Sequence, residues 1–444
     1  MIDDESGNTP EAIRRLQRKL YLKAKAEPDF RFYQLYDKVY REDVLFHAYR
    51  LARANQGAPG VDGQTFAMIE AAGLEEWLSG LGEELRSKTY KPQPVRRVMI
   101  PKPGGGERPL GIPTIRDRVM QTAVKLVIEP IVEADLEPAA YGYRPQRSAQ
   151  DALKEVHTRL CQGYNEVVDA DLSRYFDTIP HRELMQSVAR RISDRHVLAL
   201  IKMWLKTPVE EVDEQGRQRL TGGKRSTCGT PQGGVISPLL ANLYMNRFLK
   251  HWRLSRMGEE LKACVVSYAD DFVILSRHQA GKALVWTRQV MTRLGLALNE
   301  AKTSIRRARE ERFDFLGYTF GPHRFRKDGH WYLGASPSRK SLARLKQKVR
   351  AILNPGNVGA WPVVRDRLNA LLRGWSSYFS YGTRLPAYRA VDNYVYERVL
   401  HFLKRRRKVP TRGTRRFPAD TVFGELGVLR LRRVHLGPLP CALG

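Results

Sequence analysis

Cysteine is scarce in this sequence: its 444 residues include four, Cys161, Cys228, Cys264 and Cys441. They stand far apart and never as Cys-x-x-Cys. That argues against a zinc ribbon or a disulfide scaffold and for reduced thiols in a cytosolic setting. No uninterrupted apolar run reaches the roughly 18 residues that a membrane span needs. The opening segment MIDDESGNTP is acidic and polar, unlike the basic and apolar start of a secretory signal. Acidic residues are also in short supply, 47 Asp and Glu against 76 Lys and Arg, so the formal net charge is +29. No internal repeat is visible. What remains is the expectation of a strongly basic intracellular protein.

Hydrophobic residues at 42% and aromatics at 9% are enough to build real cores, so wholesale disorder is excluded. The length suggests two or three packed units. A folded chain this basic attracts polyanions, nucleic acid first and anionic membrane second.

Periodicity organises the chain. Ile13, Leu16 and Leu20 recur at helical spacing among basic residues, as do Leu45, Tyr49 and Leu51. GAPGVDG (57–63) is a turn-rich break. Residues 95–113 read as two short strands around a Gly-rich turn, and a helical pattern returns with Val119, Ala123, Leu126 and Val127. VVDADL, ending at Leu172, carries a strand signal, followed by the helix pattern HRELMQSVARRI. CVVSYADDFVILS (264–276) places two β-branched apolar runs around a pair of acids, as a β-hairpin does. A helix over 279–295 and two short strands up to GYTF follow. Past residue 335, Leu342, Leu345, Val349 and Ile352 share one helical face, with Arg339, Lys340, Arg344, Lys346, Lys348 and Arg350 around the rest. DRLNALLRGWSSYFSYG and residues 387–403 supply two more amphipathic helices, the second ending in KRRRK (404–408). Trp375, Tyr378 and Phe379 fit the core of these helices better than a base-stacking platform. Residues 411–444 are basic with short apolar patches and no assigned element.

Two adjacent carboxylates, Asp270 and Asp271, between apolar strands are costly unless something offsets their charge. Taken alone, the pair fits an exposed hairpin tip and a metal-holding turn equally well, since hard cations prefer carboxylate oxygen. A second acid-bearing strand shifts the balance. Asp169 and Asp171 share one face of VVDADL, with Asp177 shortly after. A two-metal site gathers carboxylates from separate strands to hold ions about 3.5–4 Å apart. Asp171 suits that role, whereas Asp169 and Asp177 singly read as caps.

On these motifs the chain resembles the reverse transcriptases encoded by group II introns, also called maturases. ANQGAPGVDG (54–63) resembles their N-terminal extension, and IPKPGGGERPLGIPTIRDRVMQ (100–121) and YGYRPQRSAQDAL (141–153) their fingers blocks. DADLSRYFDTIPH (169–181), GTPQGGVISPLLANLYM (229–245) and YADDFVIL (268–275) resemble the palm blocks. LGLALNEAKTSI (294–305) and FLGYTF (315–320) resemble the closing palm motifs, and LNALLRGWSSYF (368–379) the thumb, or domain X. These blocks, standing in the family's order, make the match specific.

The resemblance implies an α+β right-hand polymerase with a mixed fingers–palm unit and an α-helical thumb. Its expected parts are a helical N-terminal extension (1–63), fingers and palm (64–335), thumb (336–410) and a basic tail (411–444). It assigns Asp171, Asp270 and Asp271 as catalytic and metal-binding, with the Leu172 backbone carbonyl as a further ligand to two Mg²⁺ ions, Mn²⁺ being a substitute. Phe176 matches the aromatic that stacks under the deoxyribose and excludes a 2′-hydroxyl, or is a plain core aromatic. Lys102 and Arg108 match the cations that grip the triphosphate, and Gln232 the residue that contacts the nucleotide.

Arg339, Lys340, Arg344, Lys348, Lys404, Arg405, Arg406 and Arg407 fit contacts to nucleic-acid phosphates. The implied partners are group II intron RNA, an RNA template with its DNA primer, target DNA and dNTPs, with no membrane and a homodimer left open. The implied location is cytoplasmic, with the nucleoid or a ribonucleoprotein. Residues 411–444 hold one Cys and one His, too few for the His-Asn-His endonuclease of fuller family members. Two other readings stand beside this one: a non-enzymatic RNA-folding cofactor, and a reverse transcriptase domesticated for phage defence, CRISPR adaptation or DNA repair. The intact triad weighs against the first.

Overall fold

The computed structural model describes residues 9–101, 106–212, 215, 217–325, 328–408 and 414–434. Among these, the strands in chain order are β1 (Val95–Pro101), β2 (Glu107–Ile112), β3 (Glu166–Asp171), β4 (Pro208–Val212), β5 (Gln218–Gly222), β6 (Ala263–Tyr268), β7 (Asp271–Ser276), β8 (Ser304–Arg307), β9 (Phe313–Phe315), β10 (Tyr318–Arg324) and β11 (Trp331–Pro337). They make three sheets, ordered β2-β1-β4-β5, β6-β7-β3-β8 and β11-β10-β9. The mixture of sheets and helices is the α+β architecture expected of a right-hand polymerase.

The second sheet is antiparallel throughout and covered on both faces. Val168, Ala170, Phe272 and Ile274 join the largest core, shared with the helices Ile115–Asp135 and Ser237–Leu254. Their neighbours Val167, Val273 and Leu275 point the other way, into a core shared with the helix Ala149–Cys161 and with Phe313, Phe315 and Phe320 of the third sheet. Burial on both sides explains why these strands read as continuous apolar runs rather than as alternation. The helix Ile115–Asp135 is buried nearly all round. Its N-cap Thr114 accepts from the Asp117 amide, and the Asp117 carboxylate accepts from the Tyr90 hydroxyl at 2.7 Å.

In the first sheet β1 pairs antiparallel with β2 and parallel with β4, through Val95↔Val209 and Arg96↔Glu210. The β4–β5 hairpin carries no strong periodic signal in the sequence. The turn between β1 and β2, with Lys102, lies outside the described residues.

Three helices, Arg339–Ile352, Trp361–Tyr378 and Leu385–Arg406, pack around Leu345, Val349, Leu368, Leu372, Val391, Val395 and Val399. Pro362 and Pro386 open the latter two, where a missing N–H costs nothing. Tyr378 and Phe379 bridge to the third sheet instead: the Tyr318 hydroxyl donates to the Tyr378 carbonyl at 2.9 Å, and the Tyr378 hydroxyl to that of Leu316 at 2.8 Å. Residues 414–434 do not stand apart as a tail. Phe417, Val422, Val428 and Leu431 are buried in the same helical core. Buried Asp392 accepts from the amides of Leu431 and Arg432, and Asn369 from that of Leu429.

The N-terminal segment is tied down through Asp194, which is 6% exposed. Its carboxylate accepts from the amides of Leu35 and Tyr36, both at 2.8 Å, and caps the helix Arg195–Leu205 at His196 and Val197. Burial pushes this carboxyl up, but the four N–H groups outweigh it and hold it below the ordinary carboxylate range. A depressed folded pKa contributes stability that is present above the unfolded value of about 3.9 and lost as pH falls through the folded one. Asp194→Asn is therefore expected to cost about 1–3 kcal/mol at neutral pH. In urea unfolding across pH, its deficit against the wild type should shrink below about pH 4.

Candidate active site

The acids meet at the open end of the doubly covered sheet. β3 and β7 pair in a register that sets Asp171 opposite Asp271. Asp270 occupies the two-residue turn from β6 to β7, where Ala269 takes φ 58°. That left-handed turn rests on Gly142, where an added Cβ would lie 2.5 Å from the Ala269 nitrogen. Residues 139–141 add to the edge of β6, with the Tyr141 amide donating to the Ser267 carbonyl at 2.8 Å. The two acid-bearing segments read from sequence therefore share one hydrogen-bonded ladder, which the strand pattern alone did not specify.

Electrostatics at this end are strained toward negative charge. Asp271 faces the open cleft, yet desolvation by the cleft walls, then Asp270, Asp171 and Asp169, push its carboxyl up to about 6. Asp270 is raised too, chiefly by desolvation, with Arg108 and Lys302 opposing. Asp169, on the same strand face as Asp171, is pushed up to about 6 by burial and by Asp171 and Asp314, with Arg306 and Lys340 opposing. Asp169 thus adds to the charge cluster rather than serving as a cap.

Asp171 is held differently. Its Oδ2 accepts from Lys302 Nζ at 3.0 Å and Asn299 Nδ2 at 3.2 Å. Leu172 bridges to Leu298, and the hydrogen bonds of that bridge use the Asp171 carbonyl and the Ser173 amide, leaving the Leu172 carbonyl out of it. Among the described residues no three His, Cys, Asp or Glu side chains converge into a finished coordination shell. The donor set nevertheless suits a hard divalent ion: oxygen ligands carrying negative charge that the protein only partly offsets.

A second cluster flanks the acids. Arg108 Nε donates to Gln232 Oε1 at 2.9 Å, and Gln232 Nε2 to Asp177 Oδ1 at 3.0 Å. Two residues singled out separately thus form one chain, and Asp177 is its anchor. The Gly111 amide donates to the Gln232 carbonyl at 2.6 Å. Gly233 has φ 109°, and a Cβ there would collide with the Gly111 carbonyl. Phe176 is 7% exposed and packs edge-on against Tyr175, whose hydroxyl donates to the Ala241 carbonyl at 2.6 Å. Lys102 falls outside the described residues.

The basic helix positions lie elsewhere. Arg339, Lys340, Arg344 and Lys348 are exposed on the first C-terminal helix, and Lys340 comes near enough to act on Asp169. Arg405, Arg406 and Arg407 are exposed and Lys404 half-buried, with Arg406 over Phe402 and Arg407 over Phe417. Sequence reading missed Lys302, Asn299 and Tyr143, the last of which is acted on by Asp270 and Arg108. The available signal was the Asn-x-x-Lys spacing after the hairpin.

Residues 100–320 match the family described as reverse transcriptase (RNA-dependent DNA polymerase), and residues 342–417 match the group II intron, maturase-specific domain. Protein YkfC of Escherichia coli (strain K12) is 35% identical over 382 residues, 76% of this chain and 97% of that protein. The group II intron-encoded protein LtrA of Lactococcus lactis subsp. cremoris is 36% identical over 223 residues, 49% of this chain and 35% of LtrA. The chain thus spans nearly all of the first relative and about a third of the second. Among solved structures, a chain of a partial Cas6-RT-Cas1–Cas2 complex is similar over 58% of this chain and 42% of that one, at 22% identity and a TM-score of 0.36.

Gly233→Ala has no room and an unfavourable backbone, a combination that costs about 1–3 kcal/mol locally. The variant should keep its far-ultraviolet circular dichroism but lose the Gln232–Gly111 contact. Its thermal midpoint should then fall by a few degrees against the wild type, measured by calorimetry.

Proposed function

The chain belongs to the reverse transcriptases encoded by group II introns, and from that premise we propose that Asp171, Asp270 and Asp271 form its polymerase centre and that it serves as maturase of its parent intron RNA. The family's reaction is RNA-directed DNA synthesis with divalent metals. The observation that carries the assignment is the β3–β7 register: it sets one aspartate opposite another at a strand end, with a third in the adjoining turn.

In this reading the three carboxylates, with the Leu172 carbonyl, would hold two Mg²⁺ ions. Such ions supply a more acidic primer 3′-hydroxyl and offset charge on the departing pyrophosphate. The rest falls to the chain. Arg108 presents a planar fork suited to a phosphate oxygen pair, and Lys102 a point charge. Gln232, held between Arg108 and Asp177, presents its amide to the nucleotide, and the Gly233–Gly234 backbone permits close approach. Phe176, fixed in place by its packing, forms the wall that a ribose 2′-hydroxyl would strike.

The exposed cations of the helix Arg339–Ile352 and of residues 404–407 track the backbone of the template–primer duplex or of intron RNA. An excess of positive charge over the whole chain supports residence on nucleic acid, target DNA included, as a ribonucleoprotein. No helix among the described residues is long and apolar enough to cross a membrane.

Primer extension on poly(rA)/oligo(dT) with Mg²⁺ tests the core of this reading. The wild type should extend. Asp270→Ala combined with Asp271→Ala should lose more than about a thousandfold in rate, as expected when several kcal/mol of charge stabilisation are removed. Equal extension by both would place the metal site elsewhere. Phe176→Ala should instead retain extension and lose about tenfold or more of its preference for dNTPs over rNTPs, read from paired kcat/KM values.

A further inference from the structure

One cation sits on the acid cluster without a place in the scheme above. Lys302 Nζ lies 3.0 Å from Asp171 Oδ2, the same oxygen to which Asn299 donates. Its position is built into the backbone on both sides. Upstream, the Asn299 amide donates to the Asp171 carbonyl and the Ser173 amide to the Ala297 carbonyl, each at 2.8 Å. Downstream, β8 begins at once and sets Ser304 opposite Asp169. The segment from Asn299 to Thr303 closes on itself through amides of Lys302 and Thr303 that donate to the Asn299 carbonyl. It is therefore a short arch anchored at both feet to the metal-bearing strand, with Lys302 on its inner edge.

The side chain on that arch is loosely held. It is 65% exposed against 27% for Asp171, so water screens the pair and the ammonium loses little by leaving. Lys302 also acts on Asp270 and Asp271. In the free protein it is a cation in contact with the crowded carboxylates. The oxygen it occupies is one that a divalent ion would need. An ammonium and a hard dication cannot both take that oxygen at contact distance without severe repulsion.

We propose that Lys302 is the built-in counter-cation of the metal-free site, occupying Asp171 in the resting protein and withdrawing when a divalent ion binds. The inference rests on Asp171, Asp270 and Asp271 being the metal-holding carboxylates. It explains why the acids lie close without forming a finished shell: one of them is turned to an internal substitute. It also makes Lys302 a positioning residue that sets how much divalent ion the free protein needs, by competition.

Mn²⁺ binding to the nucleotide-free protein, followed by loss of the free-ion electron paramagnetic resonance signal, tests this without any turnover. Lys302→Met should bind Mn²⁺ about fivefold more tightly than the wild type, as removal of an exposed competitor implies. Arg306→Gln, which removes a charge beside Asp169 and not from Asp171, should change affinity less than about twofold. Amine-reactive labelling read by mass spectrometry should show Lys302 of the wild type becoming more reactive when Mg²⁺ is added, while the other lysines stay constant.

Equal tightening in both variants would reduce Lys302 to a distant field and overturn the proposal, as would unchanged or weaker binding in Lys302→Met. The double variant Asp270→Ala plus Asp271→Ala separates the two levels. Undiminished Mn²⁺ binding there would remove the metal assignment and the proposal with it. Lost binding there, with Lys302→Met like the wild type, would overturn the proposal alone.

Discussion

The site depends on the register of β3 against β7. Side chains alternate between faces along a strand, so a slip of one residue would send Asp171 to the opposite face and make Val167 and Val168 exchange cores. Because both faces of this sheet are buried, such a slip would put polar groups into two cores at once. The packing that holds the sheet together is thus the same constraint that sets the carboxylates opposite each other. Chemistry is confined to the strand ends, where the covering helices stop and water enters.

The neighbouring contacts extend that constraint to the first sheet. Gly111 on β2 bonds to the Gln232 carbonyl, and the absent side chain of Gly233 lets the two backbones touch. Arg108, on the same strand, reaches Gln232, which reaches Asp177 beyond β3. A hairpin distant in sequence is thereby fastened to the acid-bearing sheet by backbone and side chain together. The parallel pairing of β1 with β4 makes that hairpin part of a larger leaf rather than a loose flap.

Much of this was legible beforehand where residues carry a local signal. The Asp270–Asp271 turn, flanked by β-branched runs, announced its hairpin, and the spacing of Leu345 and Val349 announced a helix with one buried face. The α+β class and the polymerase family followed from ordered motifs. Elements stabilised by distant partners were not legible. The β4–β5 hairpin has a half-exposed, polar sequence and gains its order from β1. Asp177 looked like a turn cap because its partner, Gln232, is 55 residues away. Lys302 is one cation among many in a chain of net charge +29, and only the arch that presents it to Asp171 distinguishes it. Asp194 likewise shows its importance only once the amides of Leu35 and Tyr36 are brought to it.

Residues 414–434 finish the three-helix core instead of trailing from it. Phe417, Val422, Val428 and Leu431 fill the seam that Val395, Val399 and Phe402 would otherwise present to water. Asp392 and Asn369, in the middle of two helices, turn their polar groups to the backbone of this last segment. As a unit of inheritance, then, the helical layer does not end at its basic run. A recombination event that carried the three helices to another protein and left this segment behind would transfer an open core with two stranded polar side chains, and the exchangeable piece must include both.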